Sequence, residues 1–217
     1  MQPSTRSSST VKLALDSLES RLTPAGNLNV FVSNGILNVV ADASSHSFTV
    51  YVHDDRLIVS THDTTIINGI AGNRSATFMG GQDLITGLVI TGNRSADNVG
   101  IADRLINARN LDVTVQTADG NDTVAFSSLD GVGKIAGTAS IDTGRRDDQI
   151  TFNGTWNGLN LSADLGDGND VLRVLGTIGN ISSLNGNSGK GDVLEIVDAL
   201  YQTYRTHITG FETINRL

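Results

Sequence analysis

The sequence predicts an all-β repeat protein: a parallel β-helix or β-roll-like solenoid, with an antiparallel entry section and a short N-terminal capping helix. Acidic residues give the first observation. Of 23 acids only Glu19, Glu195 and Glu212 are glutamates, which leaves 20 aspartates. Aspartate competes with its own backbone for hydrogen bonds and so favours turns over helices. The second observation is 24 glycines against 2 prolines, which indicates many tight turns.

The third observation is a recurring tripeptide, Asp-x-(Val/Ile/Leu). Its intervals of 25, 26, 22 and 22 residues suit stacked supersecondary units, which repeat every 20–50 residues or so. A heptapeptide at 70–76 also returns at 90–96 with one change, Thr91 in place of Ala71. Each unit holds two or three strand-like pieces between Gly, Asn or Asp, so no helix is expected inside one. We therefore predict solenoid repeats over residues 68–217, with these aspartates in one row: Asp97, Asp122, Asp148, Asp170 and Asp192.

Residues 27–67 are predicted to form the antiparallel entry section. Apolar residues alternate over 28–32, and a second apolar run follows at 36–40. Between them lies Asn34-Gly35, a strong hairpin signal because both residues tolerate positive φ. A second pair of strand-like runs flanks Asp54-Asp55.

Residues 1–26 are predicted to contain a disordered lead and a short amphipathic helix. Val11, Leu15, Leu18 and Leu22 have the spacing of one helical face, and Pro24 follows them. We interpret this helix as a cover for one open end of the β core. A sorting or partner-binding peptide is the alternative.

Charge and composition exclude several classes of protein. The net charge is -8 and the pI is near 4.8, whereas nucleic-acid binding needs clustered Lys and Arg. With no cysteine, the chain has no disulfides and no thiolate chemistry. No apolar run approaches the roughly 20 residues of a transmembrane helix. A clear secretory signal is also absent.

One segment has the composition of a calcium-binding turn. Residues 165–173 read LGDGNDVLR, with Gly166, Gly168, Asp170 and Leu172 in register. This resembles the RTX (haemolysin-type) calcium-binding nonapeptide, in which glycines shape a turn and an aspartate follows. Residues 117–125 and 143–151 keep part of the pattern.

The resemblance implies Ca²⁺ as a possible cofactor, because this hard cation takes oxygen ligands from neighbouring turns. The alternative is a ladder of turn-forming Asp and Gly that satisfies backbone donors without any ion. The implied metal-site residues are Asp122, Asp148, Asp167, Asp170, Asp192, Gly120, Gly166 and Gly168.

A second resemblance concerns the location of the protein. Residues 18–25 read LESRLTPA, and residues 208–214 read ITGFETI. Both stretches are similar to segments of large exported repeat proteins of planctomycete bacteria, in which they accompany β-rich calcium-type repeats. The resemblance implies an extracellular or cell-surface location.

No catalytic motif is found, so the chain is not predicted to be an enzyme. His46, His53 and His62 lie on or beside the entry strands, at spacings that do not favour a zinc site. Asp147-Asp148 would face opposite sides of one strand. Trp156, the single tryptophan, is interpreted as a packed corner, with a sugar-stacking platform as the alternative.

Three functions remain open at this stage. The first is a non-catalytic structural or adhesive repeat module, with cell-surface polysaccharide or other repeat proteins as partners and calcium as a possible stabiliser. The second is a carbohydrate-binding or carbohydrate-cleaving β-helix protein, which needs Trp156 beside carboxylates in a groove. The third is a degenerate fragment of a larger repeat array.

Overall fold

The structure is a computed structural model that describes residues 26–53, 56–62, 64–70, 74–79, 85–104, 109–128 and 130–217. Almost all of its regular elements are strands. They are β1 (Asn27–Ser33), β2 (Ile36–Ala41), β3 (Ser47–Val52), β4 (Arg56–Thr61), β5 (Ile66–Ile67), β6 (Ser75–Met79), β7 (Gly87–Thr91), β8 (Asn98–Asp103), β9 (Arg109–Asn110), β10 (Asp112–Gln116), β11 (Thr123–Ser128), β12 (Ile135–Asp142), β13 (Gln149–Asn153), β14 (Trp156–Asp164), β15 (Val171–Leu175), β16 (Ile178–Asn185), β17 (Val193–Ile196), β18 (Ile208–Thr209) and β19 (Thr213–Arg216). Helix α1 (Asp198–Tyr204) and a 3-10 turn (Arg205–His207) lie between β17 and β18.

The strands form two sheets, and the chain alternates between them. Sheet A has the order β5-β1-β2-β7-β10-β12-β14-β16-β18, and β9 pairs with β12. Sheet B has the order β6-β4-β3-β8-β11-β13-β15-β17-β19. From β7 onward we call one sheet A strand with the sheet B strand that follows it a rung. The predicted fold class, a parallel β-solenoid, is confirmed.

The core consists of aliphatic columns that run through the rungs. In sheet A, Leu37, Leu88 and Val113 stand in register on successive strands, and in sheet B so do Val99 and Val124. All five are no more than 1% exposed. Because strand residues alternate between faces, the residues between them point outward, as Asn38 and Thr114 do. This alternation explains how a chain with only 5% aromatic residues fills its interior.

The entry section is built on two antiparallel hairpins, as the hairpin signals predict, and its last strand, β5, pairs parallel with β1. β1 pairs with β2 around Asn34 and Gly35, whose φ angles are 52° and 73°. β3 pairs antiparallel with β4, and β4 with β6. β2 and β3 then accept the first parallel neighbours, β7 and β8. The entry section is therefore continuous with the solenoid.

The heptapeptide shared by 70–76 and 90–96 is not a structural repeat. The first copy leads into β6, which is antiparallel to β4. The second copy begins in β7, where Ile90 is fully buried, whereas Ile70 is 58% exposed. The first residues of the two nearly identical heptapeptides therefore occupy different environments.

The expectation that no helix fits inside a unit is wrong for the last one. Helix α1 and the 3-10 turn fill the connection from β17 to β18. Leu200 of α1 is buried, and the Tyr204 hydroxyl donates to the Gly179 carbonyl at 3.1 Å. A long connection gave this segment room for a helical turn. The amphipathic helix predicted near 11–22 lies outside the described residues.

In the described parts of the chain, neither α1 nor any other helical segment has the length and apolar character required to span a bilayer.

Candidate functional site

The recurring aspartates lie in one row on the corner that joins sheet A to sheet B in each rung. We call this corner the aspartate corner (residues 92–97, 117–122, 143–148, 165–170 and 186–192). The five carboxylates are buried, with 0–2% exposure. The row predicted from the sequence is therefore present, and we call it the aspartate column: Asp97, Asp122, Asp148, Asp170 and Asp192.

Each carboxylate of the column accepts a hydrogen bond from the backbone of the preceding rung. Asp97 N–H donates to Asp122 Oδ1 at 2.7 Å, and Asp122 N–H donates to Asp148 Oδ1 at 2.7 Å. The same bond links Asp148 to Asp170 and Asp170 to Asp192, both at 2.8 Å. The series is thus one chain of hydrogen bonds along the solenoid.

The two ends of this chain are closed by other residue types. At the start, His46 N–H donates to Asp97 Oδ1 at 3.0 Å. At the end, Asp192 N–H donates to Glu212 Oε2 at 2.8 Å. Glu212 is not among the predicted site residues, although Glu212-Thr-Ile214 has the form of the recurring tripeptide with glutamate for aspartate.

The tripeptide follows from this arrangement. At the corner the backbone of each aspartate donates its N–H to a carboxylate, while its carbonyl accepts from the next rung, as Asp122 O does from Gln149 N–H at 2.8 Å. The next residue points outward, and the third residue enters the core, as Ile150 does. Asp-x-aliphatic therefore encodes one corner bond and one core contact.

The second oxygen of most column carboxyls is buried and unused. The Oδ2 atoms of Asp122, Asp148, Asp170 and Asp192 have no hydrogen-bond partner. Burial disfavours the charged form, and it raises the pKa of Asp148 to about 8 and that of Asp170 to about 6. Neighbouring carboxylates of the column act in the same direction. The column therefore shifts its carboxyls towards the neutral form relative to exposed aspartates.

The glycines of the corner allow the backbones of successive rungs to stack closely. Gly144 and Gly166 have φ angles of 92° and 84°. A Cβ on Gly166 would lie 1.8 Å from the Gly144 carbonyl oxygen, and a Cβ on Gly144 would lie 1.8 Å from the Ala118 carbonyl oxygen. No other residue type fits these two positions without moving the backbone.

The exposed rim of the aspartate corner alternates in charge. Arg94, Asp119, Arg145 and Asp167 occupy successive rungs. Arg145 Nε lies 3.9 Å from Asp167 Oδ2, and Arg94 Nε lies 4.0 Å from Asp119 Oδ2. Arginine side chains thus supply positive charge between the acids of the motif copies.

Replacing Arg145 with glutamine should have only a small effect. Because the Arg145 and Asp167 side chains are 70% and 63% exposed, we expect a loss of less than about 1 kcal/mol in the free energy of unfolding, which disappears in high salt. Urea unfolding at low and high ionic strength measures it. Arg146→Gln is the control, because Arg146 has no ion pair among the described residues. A loss above about 2 kcal/mol would contradict the expectation that this exposed ion pair contributes little to the free energy of unfolding.

The described residues do not supply a complete calcium site. The orphaned Oδ2 atoms have the right donor chemistry, but Ca²⁺ takes about 6–8 oxygens. Turn carbonyls that could add ligands already accept backbone bonds, since Ala118 O binds Arg145 N–H and Gly144 O binds Asp167 N–H. Within the described ranges no three His, Cys, Asp or Glu side chains are arranged to hold a metal ion. Calcium binding stays a prediction of the motif resemblance.

The eight predicted metal-site residues do not form one cluster. Asp122, Asp148, Asp170 and Asp192 belong to the buried column, whereas Asp167 lies on the exposed rim. Gly120, Gly166 and Gly168 are in the turns between the two, where their lack of a Cβ admits a neighbouring backbone or column carboxylate.

Trp156 is a core residue. It is 0% exposed, packs edge-on against Phe126 and Phe152, and donates its Nε1–H to Asn153 O at 3.1 Å. A buried ring cannot stack on a sugar. This excludes the platform that the carbohydrate hypothesis requires at Trp156.

The histidines are engaged locally. His46 is buried, with Nε2 at 3.0 Å from Asp42 Oδ1 and Nδ1 at 3.2 Å from Thr65 Oγ1. His62 Nε2 lies 2.7 Å from Thr49 Oγ1. Although His46, Asp42 and Thr65 form a His-centred cluster, the 1% exposure of Thr65 leaves a substrate no access.

Comparison with known proteins finds no matching family model, no similar curated protein and no similar solved structure.

Proposed function

We propose that the chain is a non-catalytic structural or adhesive module that works outside the cell or at the cell surface. One observation carries the proposal: the recurrent buried carboxylates of the aspartate column bind backbone N–H groups of neighbouring rungs. The residues most able to do chemistry are therefore used to hold the rungs together. Six rungs at about 4.8 Å give a spacer about 25–30 Å long.

The outer face of sheet A supports an adhesive role. Between β10 and β16 its outward residues include small, hydrogen-bonding ones, with Thr114, Ser140 and Ser162 in register on three successive strands. Asn160 and Asn180 form a parallel row, linked through their side chains at 2.8 Å. Hydroxyl and amide groups at the regular spacing of the rungs suit a hydrated polymer. Cell-surface polysaccharide is the partner we propose.

The edges of the two sheets support a second class of partner. β18 and β19 each pair on one side only in the described part of the chain. An edge strand presents unpaired N–H and C=O groups on which another strand can pair. A further rung from another repeat protein is suited to this edge.

Immunolabelling directly tests the proposed location outside the cell or at the cell surface. An antibody against the folded chain should label intact producing cells or their medium, and external protease should remove the label from intact cells. A cytoplasmic protein of the same cells serves as the control. Label that appears only after permeabilisation would contradict the proposal.

Adhesion is tested by retention on insoluble cell-wall polysaccharide. Ser162→Trp places a bulky ring on the flat face of sheet A, and we expect it to weaken retention at least about tenfold. Thr151→Trp makes a comparable change on the outer face of sheet B and should leave retention unchanged. Equal retention of both variants contradicts adhesion through sheet A. Release of new reducing ends from the polysaccharide contradicts the non-catalytic role.

A further inference from the structure

We infer that the motif aspartates are main-chain acceptors that join successive rungs, and that they are not ligands of a calcium ion. The inference gives the RTX-like motif of this chain a different role from the one its resemblance implies. It does not depend on the proposed function, because a solenoid joined in this way could serve any location or partner.

The hydrogen bonds of the aspartate column are uniform. The four carboxylate-to-backbone distances within the column lie between 2.7 and 2.8 Å. Asp170, in the strong motif copy, accepts its bond at 2.8 Å, and Asp148, in a partial copy, accepts its bond at 2.7 Å. Ion ligands would be expected to differ between strong and weak copies.

The carboxylate-to-backbone bonds continue where the calcium-type motif is missing. Before Asp97, Asn93 and Ser95 stand at the positions where Gly166 and Gly168 precede Asp170, yet Asp97 accepts from His46 N–H at 3.0 Å. At the other end Glu212 follows Gly210-Phe211 and accepts from Asp192 N–H at 2.8 Å. A carboxylate at this position is therefore required by the corner of the solenoid, with or without a calcium-type turn.

The motif glycines face neighbouring backbone carbonyls. In a calcium turn, glycine leaves room for carbonyls that face an ion. Here the space above Gly166 and Gly168 is taken by carbonyl oxygens of the preceding rung, those of Gly144 and Arg146, at 1.8 and 2.0 Å from an added Cβ. The motif glycines thus serve close backbone stacking. Arg145 stands on the rim beside Asp167, where a cation would need oxygen ligands.

The test uses three variants of the full chain. Asp170→Asn keeps an oxygen for Asp148 N–H, Asp170→Ala removes it, and Asp167→Asn changes the exposed acid of the same turn. Amide hydrogen exchange at Asp148 is measured by NMR, and the melting temperature is measured with millimolar Ca²⁺ and with EGTA.

We expect Asp170→Asn to keep the protection of the Asp148 amide within about threefold and Asp170→Ala to lower it at least about tenfold, since a buried donor loses its acceptor. Melting temperatures of the wild type, Asp170→Asn and Asp167→Asn should be the same in Ca²⁺ and EGTA. A calcium-dependent rise in the wild type that Asp170→Asn abolishes overturns the inference. If Asp170→Ala does not fold, an unprotected Asp148 amide in the wild type overturns it. Neither result bears on cell-surface labelling, so the proposed function is tested separately.

Discussion

Raising the pH from 5 to 8.5 is expected to cost the solenoid several kcal/mol of its free energy of unfolding. Burial raises the pKa of Asp148 to about 8 and holds the pKa values of Asp97 and Asp170 at about 6, against an ordinary value of 3.8. A rise from 3.8 to about 6 corresponds to about 3 kcal/mol for one carboxyl. Most proteins lose stability on acidification, and this one should gain it.

The direction follows from where protons bind. Above pH 4 the unfolded chain has lost protons that the folded column retains, so the stabilisation is complete below that pH and is lost as the pH rises through 6 to 8. The groups that face the column are His46 at one end, Glu212 at the other, and Asp147 and Asp167 beside Asp170. Burial raises the pKa of Asp42, but backbone hydrogen bonds outweigh it and lower the pKa below its ordinary value. The stabilisation that Asp42 contributes is therefore lost only at more acidic pH.

Two adjacent aspartates provide a matched comparison. Asp148→Asn and Asp147→Asn each replace an ionisable carboxyl by a neutral amide and each keep an oxygen for a backbone donor, Asp122 N–H or Asn169 N–H. Asp148 is buried and Asp147 is exposed. Urea unfolding followed by circular dichroism at several pH values should show a flatter pH profile for Asp148→Asn alone. Equal flattening by both variants would mean that general charge repulsion, and not the column, controls the pH dependence.

Gly166→Ala is expected to destabilise the chain by about 2–5 kcal/mol. The added Cβ meets the Gly144 carbonyl oxygen at 1.8 Å, which forces the backbones of two rungs apart. A φ of 84° adds the roughly 1–2 kcal/mol that a Cβ costs in left-handed backbone. Urea unfolding at pH 6 measures the loss.

Ala118→Gly is the matched control in the same column of turns. Ala118 has a φ of 72°, so removing its Cβ relieves backbone strain. The change adds no atom that could clash with a neighbouring backbone. We expect a change between zero and a gain of about 1 kcal/mol. If Gly166→Ala is as stable as the wild type, the stacking of the corner backbones is looser than the structure indicates.

The fold could be predicted from the sequence because a solenoid repeats one local arrangement. Asp148-Gln-Ile150 carries its corner, outward and core positions within three residues, so its recurrence predicts the stack. The Asn34-Gly35 hairpin is equally local. Helix α1 was missed because the Asp-x-aliphatic pattern describes the aspartate corner and contains no information about the opposite connection.

The chemistry of the corner could not be read from composition. A glycine that faces an ion and a glycine that faces a neighbouring carbonyl look alike in the sequence, and Gly166 is of the second kind. The row of aspartates was predicted, but the partner of each carboxylate, a backbone N–H one rung away, depends on register. Asp148 and Asp170 are 22 residues apart, and only the stacked strands bring the two together.

The position of Trp156 makes the protein its own optical probe. The indole is the single tryptophan, lies in β14 and is sealed against Phe126 and Phe152. Its fluorescence therefore reports only on the middle of the stack, whereas circular dichroism averages over every strand. In a linear array of neighbours the two signals coincide only when the whole array melts as one unit. A dichroism change that precedes the emission shift would reveal fraying from the ends.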